Sequence, residues 1–350
     1  VSTYCSHFGR RSFLAGTAAA LLAAGLPAGR SATAQTPSRR IDVHNHVMPP
    51  DYLKAGRELI IGTADLDPAN VLNWTPAKVL AEMDRTGVAT AMLSVSTPGI
   101  SLMGNRDQTR KLARSCNDYT ASLVRDYPGR FGMFGVVPLP DVDGAMSEAI
   151  YALDVLRADG IGLLTSYGTR YLGDPQFTPL FAELNRRRTV VFVHPTGPAC
   201  CSTLLPGINA SVAEYMFDIT RTMMSMMFAG VFSTFADIRF IFTHAGGTMM
   251  PISARINAYG ARHHELEAIL PNGVMYELRK LHYDIANSTS PAAIAALTNV
   301  VPPTQILFGS DTPYVPIAAT AGGLDKMAIA DDLRAAINRD NALRLFPRLA

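Results

Sequence analysis

A chain of 350 residues, 48% hydrophobic and 17% charged, can bury a complete core, which excludes long disordered stretches; its length suits two average domains or one large α/β barrel. The formal net charge is +2, but residues 1–34 hold three of the 31 basic residues and none of the 29 acidic ones, so the remainder carries 28 against 29. That balance gives no electrostatic case for binding nucleic acid or a membrane surface.

The first segment reads as a targeting sequence. Arg10-Arg11 precede SFLAGTAAALLAAGLPAG, an apolar run interrupted by Gly25 and Pro27, and Ala32-Thr33-Ala34 forms an A-x-A site with cleavage expected before Gln35. Basic, apolar and small-residue regions in that order make a secretory signal, and the paired arginines resemble the twin-arginine type. An uncleaved anchor is the alternative, weakened by the short run and its glycine and proline. The expected destination is the periplasm, or the cytoplasm if the signal does not act. The expected division is a signal over 1–34, a polar linker QTPSRR over 35–40, and one domain over 41–350. No later segment is apolar enough to span a bilayer. Cys116, Cys200 and Cys201 remain after the leader. An odd count with two neighbours adjacent makes no disulfide framework; they are expected as buried free thiols, with a soft metal site at Cys200-Cys201 as the alternative.

Beyond Ile41 short apolar runs alternate with helical stretches. The strand-like runs are IDVHNH (41–46), ATAMLSV (89–95), FGMFGVV (131–137), GIGLLTS (160–166), TVVFVH (189–194), IRFIFTH (238–244), LHYDIA (281–286) and QILFGSD (305–311). Thr75-Pro76 opens a helix that stops at Gly87, and 117–127, 145–158 and 179–187 show helical spacing. Nearly continuous apolar strands imply burial on both faces, and eight units in about 310 residues predict a closed (β/α)8 TIM barrel of the α/β class. No GxGxxG follows the first strand, which counts against a dinucleotide fold. The long connection 195–237 carries Met and Phe at helical spacing, most simply a buried or subunit-facing helix, with a methionine copper site as the remote alternative.

Such barrels place reacting groups at the C-terminal ends of their strands. The first run ends in His44 and His46, the fifth in His194, the sixth in His244 and the eighth in Asp311. Alternation puts His44 and His46 on one side with Asn45 facing away. Five metal-competent side chains at one relative point of separate repeats predict a shared metal site. His263 and His264 are expected on a solvated polar helix. Trp74 reads equally as a roof for the site or a helix-start staple, and neither His282 nor Asp284 acquires a role.

These motifs resemble the amidohydrolase superfamily, whose barrels carry HxH on strand one, His on strands five and six and Asp on strand eight. Strand four, GIGLLTSYG, lacks the lysine that bridges two metals in many members, so the resemblance implies one metal. IDVHNHVMPP, VHPTGP, THAGGTMMPISAR and FGSDTPY look like the decarboxylase branch typified by 2-amino-3-carboxymuconate semialdehyde decarboxylase. WTPAKVLAEMDRTGVATAMLSVSTPGI, RFGMFGVVPLPDVD, ADGIGLLTSYGTRYLGDPQF and EYMFDITR look like the 6-methylsalicylate decarboxylases.

The resemblance implies one divalent ion, Zn2+ with Mn2+ as the alternative, on His44, His46, His194 and Asp311, with a position left open. It implies His244 as catalytic and Arg255 and Tyr314 as substrate-binding; Asp311, also catalytic, and His244 are the two candidates for the acid that delivers the proton. Arg255 matches an arginine that in some members crosses a subunit interface, which fits a homodimer or a higher homo-oligomer. The reaction implied is non-oxidative loss of CO2 from an aromatic hydroxy acid, 6-methylsalicylate giving 3-methylphenol. A hydrolase or hydratase acting on a lactone or unsaturated acid is the second reading, and a non-catalytic exported metal binder the third.

Overall fold

The computed structural model describes residues 39–63, 67–101, 104–198, 200–201 and 204–350. The expected signal over 1–34 and most of the linker lie outside them. Eight strands appear where the apolar runs predict them: β1 Arg40–His46, β2 Val88–Ser94, β3 Phe131–Val136, β4 Gly160–Leu164, β5 Val190–His194, β6 Arg239–Phe242, β7 His282–Asp284 and β8 Ile306–Leu307. Each is parallel to its neighbour, in chain order. The segment after β8 closes the ring on β1. Val43 N donates to Phe308 O at 3.0 Å, Asp311 N to His44 O at 2.8 Å and His46 N to Thr312 O at 2.7 Å. This is the (β/α)8 barrel expected from the strand count.

The barrel is packed below its mouth. Ile41, Val43, Met92, Phe134, Phe192 and Leu307 form one interior cluster, stopped at the far end by Ala342, Leu345 and Phe346. Phe134 stacks on Phe192 at 5.0 Å, and Phe192 lies 5.1 Å from the ring of His44. Each buried phenylalanine contributes about 2–3 kcal/mol, so the site stands on a stiff apolar plug.

Strand β1 shifts register on β2 twice, between Arg40 and Ile41 and between Asp42 and Asn45. It spends three steps between Asp42 and Asn45 where β2 spends two, a bulge of the kind that re-aims side chains beside active sites. Asp42 and Asn45 meet on the outer side, Nδ2 to Oδ2 at 3.0 Å, which alternation across three residues forbids. His44 and His46 stay together on the other side, as expected.

Thr75 caps the helix Pro76–Thr86, its Oγ accepting from Lys78 N at 3.3 Å, and Gly87 ends it at φ +70°. Other helices differ from expectation at their ends. Arg106–Asp126 starts well before residue 117, and Val142–Ile150 runs into a wider turn at Tyr151–Val155. His263 and His264 follow the end of helix Met249–Arg262 instead of lying on it. The Met-rich helix is Glu214–Phe228, with Met223, Met226 and Met227 fully buried in the core, which is the apolar reading of that pattern. Cys200 and Cys201 correct the expectation of buried thiols: they are bonded to each other on a surface loop, and Cys116 is the free, buried cysteine among the described residues. Among the described residues no helix is long and apolar enough to cross a membrane.

Candidate metal centre

The mouth gathers all five predicted side chains. Asp311 Oδ1 lies 3.0 Å from His46 Nε2, 3.2 Å from His44 Nε2 and 3.8 Å from His194 Nε2; its Oδ2 lies 3.9 Å from His244 Nε2. The two Nε2 atoms of the HxH pair are 3.1 Å apart. His44, His194, His244 and Asp311 place one ligand atom each within 4.8 Å of one another. All five residues are buried.

What each imidazole does with its other nitrogen decides the chemistry. His44 Nδ1 lies 3.0 Å from Asp284 Oδ2, His194 Nδ1 2.8 Å from Pro195 O, and His244 Nδ1 3.0 Å from Ala286 O. His46 Nδ1 lies 3.0 Å from Ser94 Oγ and 3.3 Å from Ser94 O. A carboxylate and backbone carbonyls only accept, so these contacts hold the proton on Nδ1 and leave a lone pair on Nε2. Four Nε2 atoms and a carboxylate therefore converge with the Nδ1 protons turned away from them, and the one imidazole placed to hold a second proton is His44, beside Asp311. The Nε2 atoms of His194 and His244 are buried with no hydrogen-bond partner, since 3.8 and 3.9 Å are too long. Orphaned buried acceptors carry a cost, and a divalent cation removes it.

The electrostatics point the same way. Burial opposes charge on His44, yet Asp284 and Asp311 outweigh it and push the imidazole up to about 10. Burial drives His194 and His244 down to about 4 and lowers His46 as well. Burial also opposes ionisation of Asp311, but His44 and the hydrogen-bonding histidines outweigh it and hold the carboxyl well below its usual range. The cluster thus demands positive charge, and three of its four imidazoles resist supplying it.

The backbone is bent to make this possible. Among the described residues six non-glycine residues have positive φ, and four of them belong to this site: His244 (+51°), Ala245 (+56°), Asn287 (+54°) and Asp311 (+71°). Such conformations cost about 1–3 kcal/mol each and cluster at functional sites.

Above the cluster opens a cavity of about 340 Å³, reached by His194 and Asp311 from below and walled by Ser96, Thr97, Val212, Tyr215, Asn287, Tyr314 and Val315 among others. Tyr314 stands over His46 with ring centroids 5.5 Å apart, and its hydroxyl lies 3.4 Å from Thr97 O. Arg255 is not brought here: it is exposed on helix Met249–Arg262 and lines none of the described cavities. Trp74 lines a separate cavity of about 220 Å³ and does not roof the cluster. Just past the end of β4, which carries no lysine, Thr165 donates to Asp218.

Three contributors escaped the sequence reading. Asp284, which has no role in the strand-end pattern, braces His44; Asn287 donates to Asp311 Oδ2 at 3.2 Å; Ser94 holds His46. The question that found the histidines, which polar residues close an apolar run, also finds Asp284 and Asn287 once it is put to LHYDIAN.

The amidohydrolase profile matches residues 41–348. The chain belongs to the amidohydrolase family. Over 328 residues it is 35% identical to the decarboxylase yanB of Aspergillus niger, covering 88% of each chain. It is 30% identical over 321 residues to the 6-methylsalicylic acid decarboxylase of Penicillium expansum, covering 89% of this chain and 97% of that one. The 5-carboxyvanillate decarboxylase of Novosphingobium aromaticivorans, solved with manganese and 4-hydroxy-3-methoxy-5-nitrobenzoic acid, shares the amidohydrolase fold at a TM-score of 0.77 and 20% identity, covering 88% of this chain and 96% of that one.

Proposed function

We propose that this amidohydrolase is a metal-dependent, non-oxidative decarboxylase of aromatic hydroxy acids, with 6-methylsalicylate or a close analogue as substrate. The observation that carries the reading is the convergence of four Nε2 atoms and one carboxylate beneath a cavity large enough for a substituted benzene ring. Relatives named as decarboxylases, aligned over nearly their whole length, support it.

His44, His46, His194 and Asp311 would hold the ion, with His244 as the nearby catalytic group; the close approach of His244 also makes it an alternative ligand. A nitrogen-rich set favours Zn2+, and the manganese of the solved relative supports Mn2+ as the alternative. When bound, the ion acts as a Lewis acid toward the phenolate and carboxylate oxygens of the substrate. The chain supplies the rest. Asp311, which stands ionised, takes a proton from water and passes it from Oδ2 to the ring carbon that bears the carboxylate, which is the difficult step because it breaks aromaticity. His244, whose Nε2 carries a lone pair, accepts from a water beside Asp311 and orients it. Tyr215 and Tyr314 flank the ring and exclude water, and Val212 and Val315 suit an alkyl substituent. Arg255 would reach a substrate only across an interface between two copies of the chain, and Arg255→Ala should then raise KM.

The test is a panel of salicylate, 2,6-dihydroxybenzoate and 6-methylsalicylate given to Zn2+- or Mn2+-loaded protein. The expected result is loss of the acid with CO2 released and, in D2O, deuterium at the vacated ring carbon. Failure of every acid to release CO2, or acid release from lactones without gas, overturns the reading.

The proposal extends to export. Arg10-Arg11 and the run after them support twin-arginine delivery of the folded domain to the periplasm. Replacing both arginines by lysine should then retain the protein in the cytoplasm on cell fractionation; unchanged distribution would refute it.

A further inference from the structure

The chain leaving β7 touches the site at three points. Asp284 accepts from His44 Nδ1, the carbonyl of Ala286 accepts from His244 Nδ1, and Asn287 Nδ2 donates to Asp311 Oδ2 at 3.2 Å. The first two contacts orient histidines. The third falls on the carboxylate itself, from a residue that lines the cavity and stands exposed to it. Asn287 has φ +54°, a left-handed conformation that asparagine tolerates better than most residues. Its amide oxygen would be repelled by the carboxylate, so the N–H side faces Asp311.

The two oxygens of Asp311 therefore keep different company. Oδ1 faces inward, 3.0 Å from His46 Nε2 and 3.2 Å from His44 Nε2. Oδ2 has the Asn287 N–H at 3.2 Å and His244 Nε2 at 3.9 Å. The division separates an oxygen directed at the proposed ligand cluster from one free to meet a substrate.

We infer that Asn287 is a positioning residue for ring protonation: its N–H fixes Oδ2 of Asp311 toward the cavity and steadies the negative charge that develops there as the proton departs. The inference rests on the decarboxylase reading above. In that step the Oδ2–H bond breaks and its electron pair stays on oxygen. An electron pair of the ring forms the new C–H bond at the carbon bearing the carboxylate. The bond from that carbon to the carboxylate then breaks, its pair restores the aromatic ring, and CO2 leaves; water returns a proton to Asp311 and departs as hydroxide, which carries the charge the carboxylate brought. A hydrogen bond to a charged oxygen is roughly twice as strong as one to a neutral oxygen, so the contact strengthens as the proton moves. An interaction that tightens toward the transition state acts on kcat and not on substrate binding.

The experiment compares Asn287→Gly with Asn287→Asp in metal-loaded protein, using the best acid of the panel. Glycine accepts the left-handed backbone without strain and deletes the donor. Aspartate keeps the size and tolerates the backbone, but places a like charge against Asp311. The expected result for Asn287→Gly is a loss in kcat of about tenfold, with KM within about twofold, bound metal per chain unchanged and thermal midpoint unchanged. Asn287→Asp should lose at least as much. A purely structural role gives the opposite order, with aspartate close to the wild type, and that order overturns the inference. So does a change confined to KM, or a loss of kcat that tracks lost metal in Asn287→Gly. If the wild type releases CO2 and both variants match it, this inference fails while the decarboxylase reading stands. A wild type that releases no CO2 removes both.

Discussion

His194→Ala should yield a folded protein that has lost both its bound metal and its turnover. His194 ends β5, its Nδ1 is spent on Pro195 O, and its Nε2 is one of the two imidazole nitrogens of the cluster that are buried with no hydrogen-bond partner among the described residues. A nitrogen so placed has one use, as a donor to whatever occupies the cluster. Alanine deletes that donor and leaves His44, His46, His244 and Asp311, whose closest mutual approaches already include 3.0 and 3.1 Å. Folding survives because the plug of Phe134, Phe192 and Phe346 lies below the site and is untouched. The lost electrostatic support is worth several kcal/mol, so at about 1.4 kcal/mol per tenfold kcat should fall by roughly 10³-fold or more. Elemental analysis after dialysis, beside a cooperative thermal transition, checks the two halves separately. Full metal content in the variant would remove His194 from the ligand set.

Much of this centre is legible in the sequence because a parallel barrel converts chain position into radial position. Once each apolar run is a strand, the residue closing it must lie at the mouth, and His44, His46, His194, His244 and Asp311 follow without knowledge of any angle. The bulge in β1 did not disturb that reading, because the residue it adds lies between the outward-facing Asp42 and Asn45. What the sequence hides are the residues that act by touching another residue. Asp284 and Asn287 are ordinary polar side chains until β7 is known to pass beside both His44 and Asp311. Ser94 is one more serine at a strand end until β1 and β2 come into register.

Arg255 lies outside what strand ends can place. Its place in a motif supports a role in binding substrate, but eleven residues of turn and helix carry it from His244 to an exposed face. Linear distance from a mouth residue predicts position only while the chain remains in the strand. The adjacent cysteines teach a similar lesson. Composition treats cysteine as an apolar filler, whereas the pair sits on a surface loop where no core calls for filling.

Asp284→Asn should weaken metal binding by about 10- to 100-fold while changing only one atom. Asp284 is fully buried and accepts three hydrogen bonds: Oδ2 from His44 Nδ1 at 3.0 Å, and Oδ1 from His244 N at 3.1 Å and Ala286 N at 2.9 Å. Asparagine has one acceptor and one donor for two acceptor positions, so either orientation fails. With its NH2 toward the backbone amides, donors face donors and the turn carrying His244 is pushed off. With its NH2 toward His44, the ring must accept at Nδ1, its proton moves to Nε2, and the lone pair aimed at the cluster is lost. Asp284→Ala is the harsher change, leaving three buried donors unpaired at about 1–3 kcal/mol each. It should unfold at a clearly lower temperature, with or without added metal. The asparagine variant separates the two effects: its thermal midpoint in the metal-free state should fall little in the second orientation, while Kd for Zn2+, measured by competition with a chelator, rises. An unchanged Kd in Asp284→Asn would mean that His44 keeps its tautomer without the carboxylate, and the bracing role assigned to β7 would be wrong.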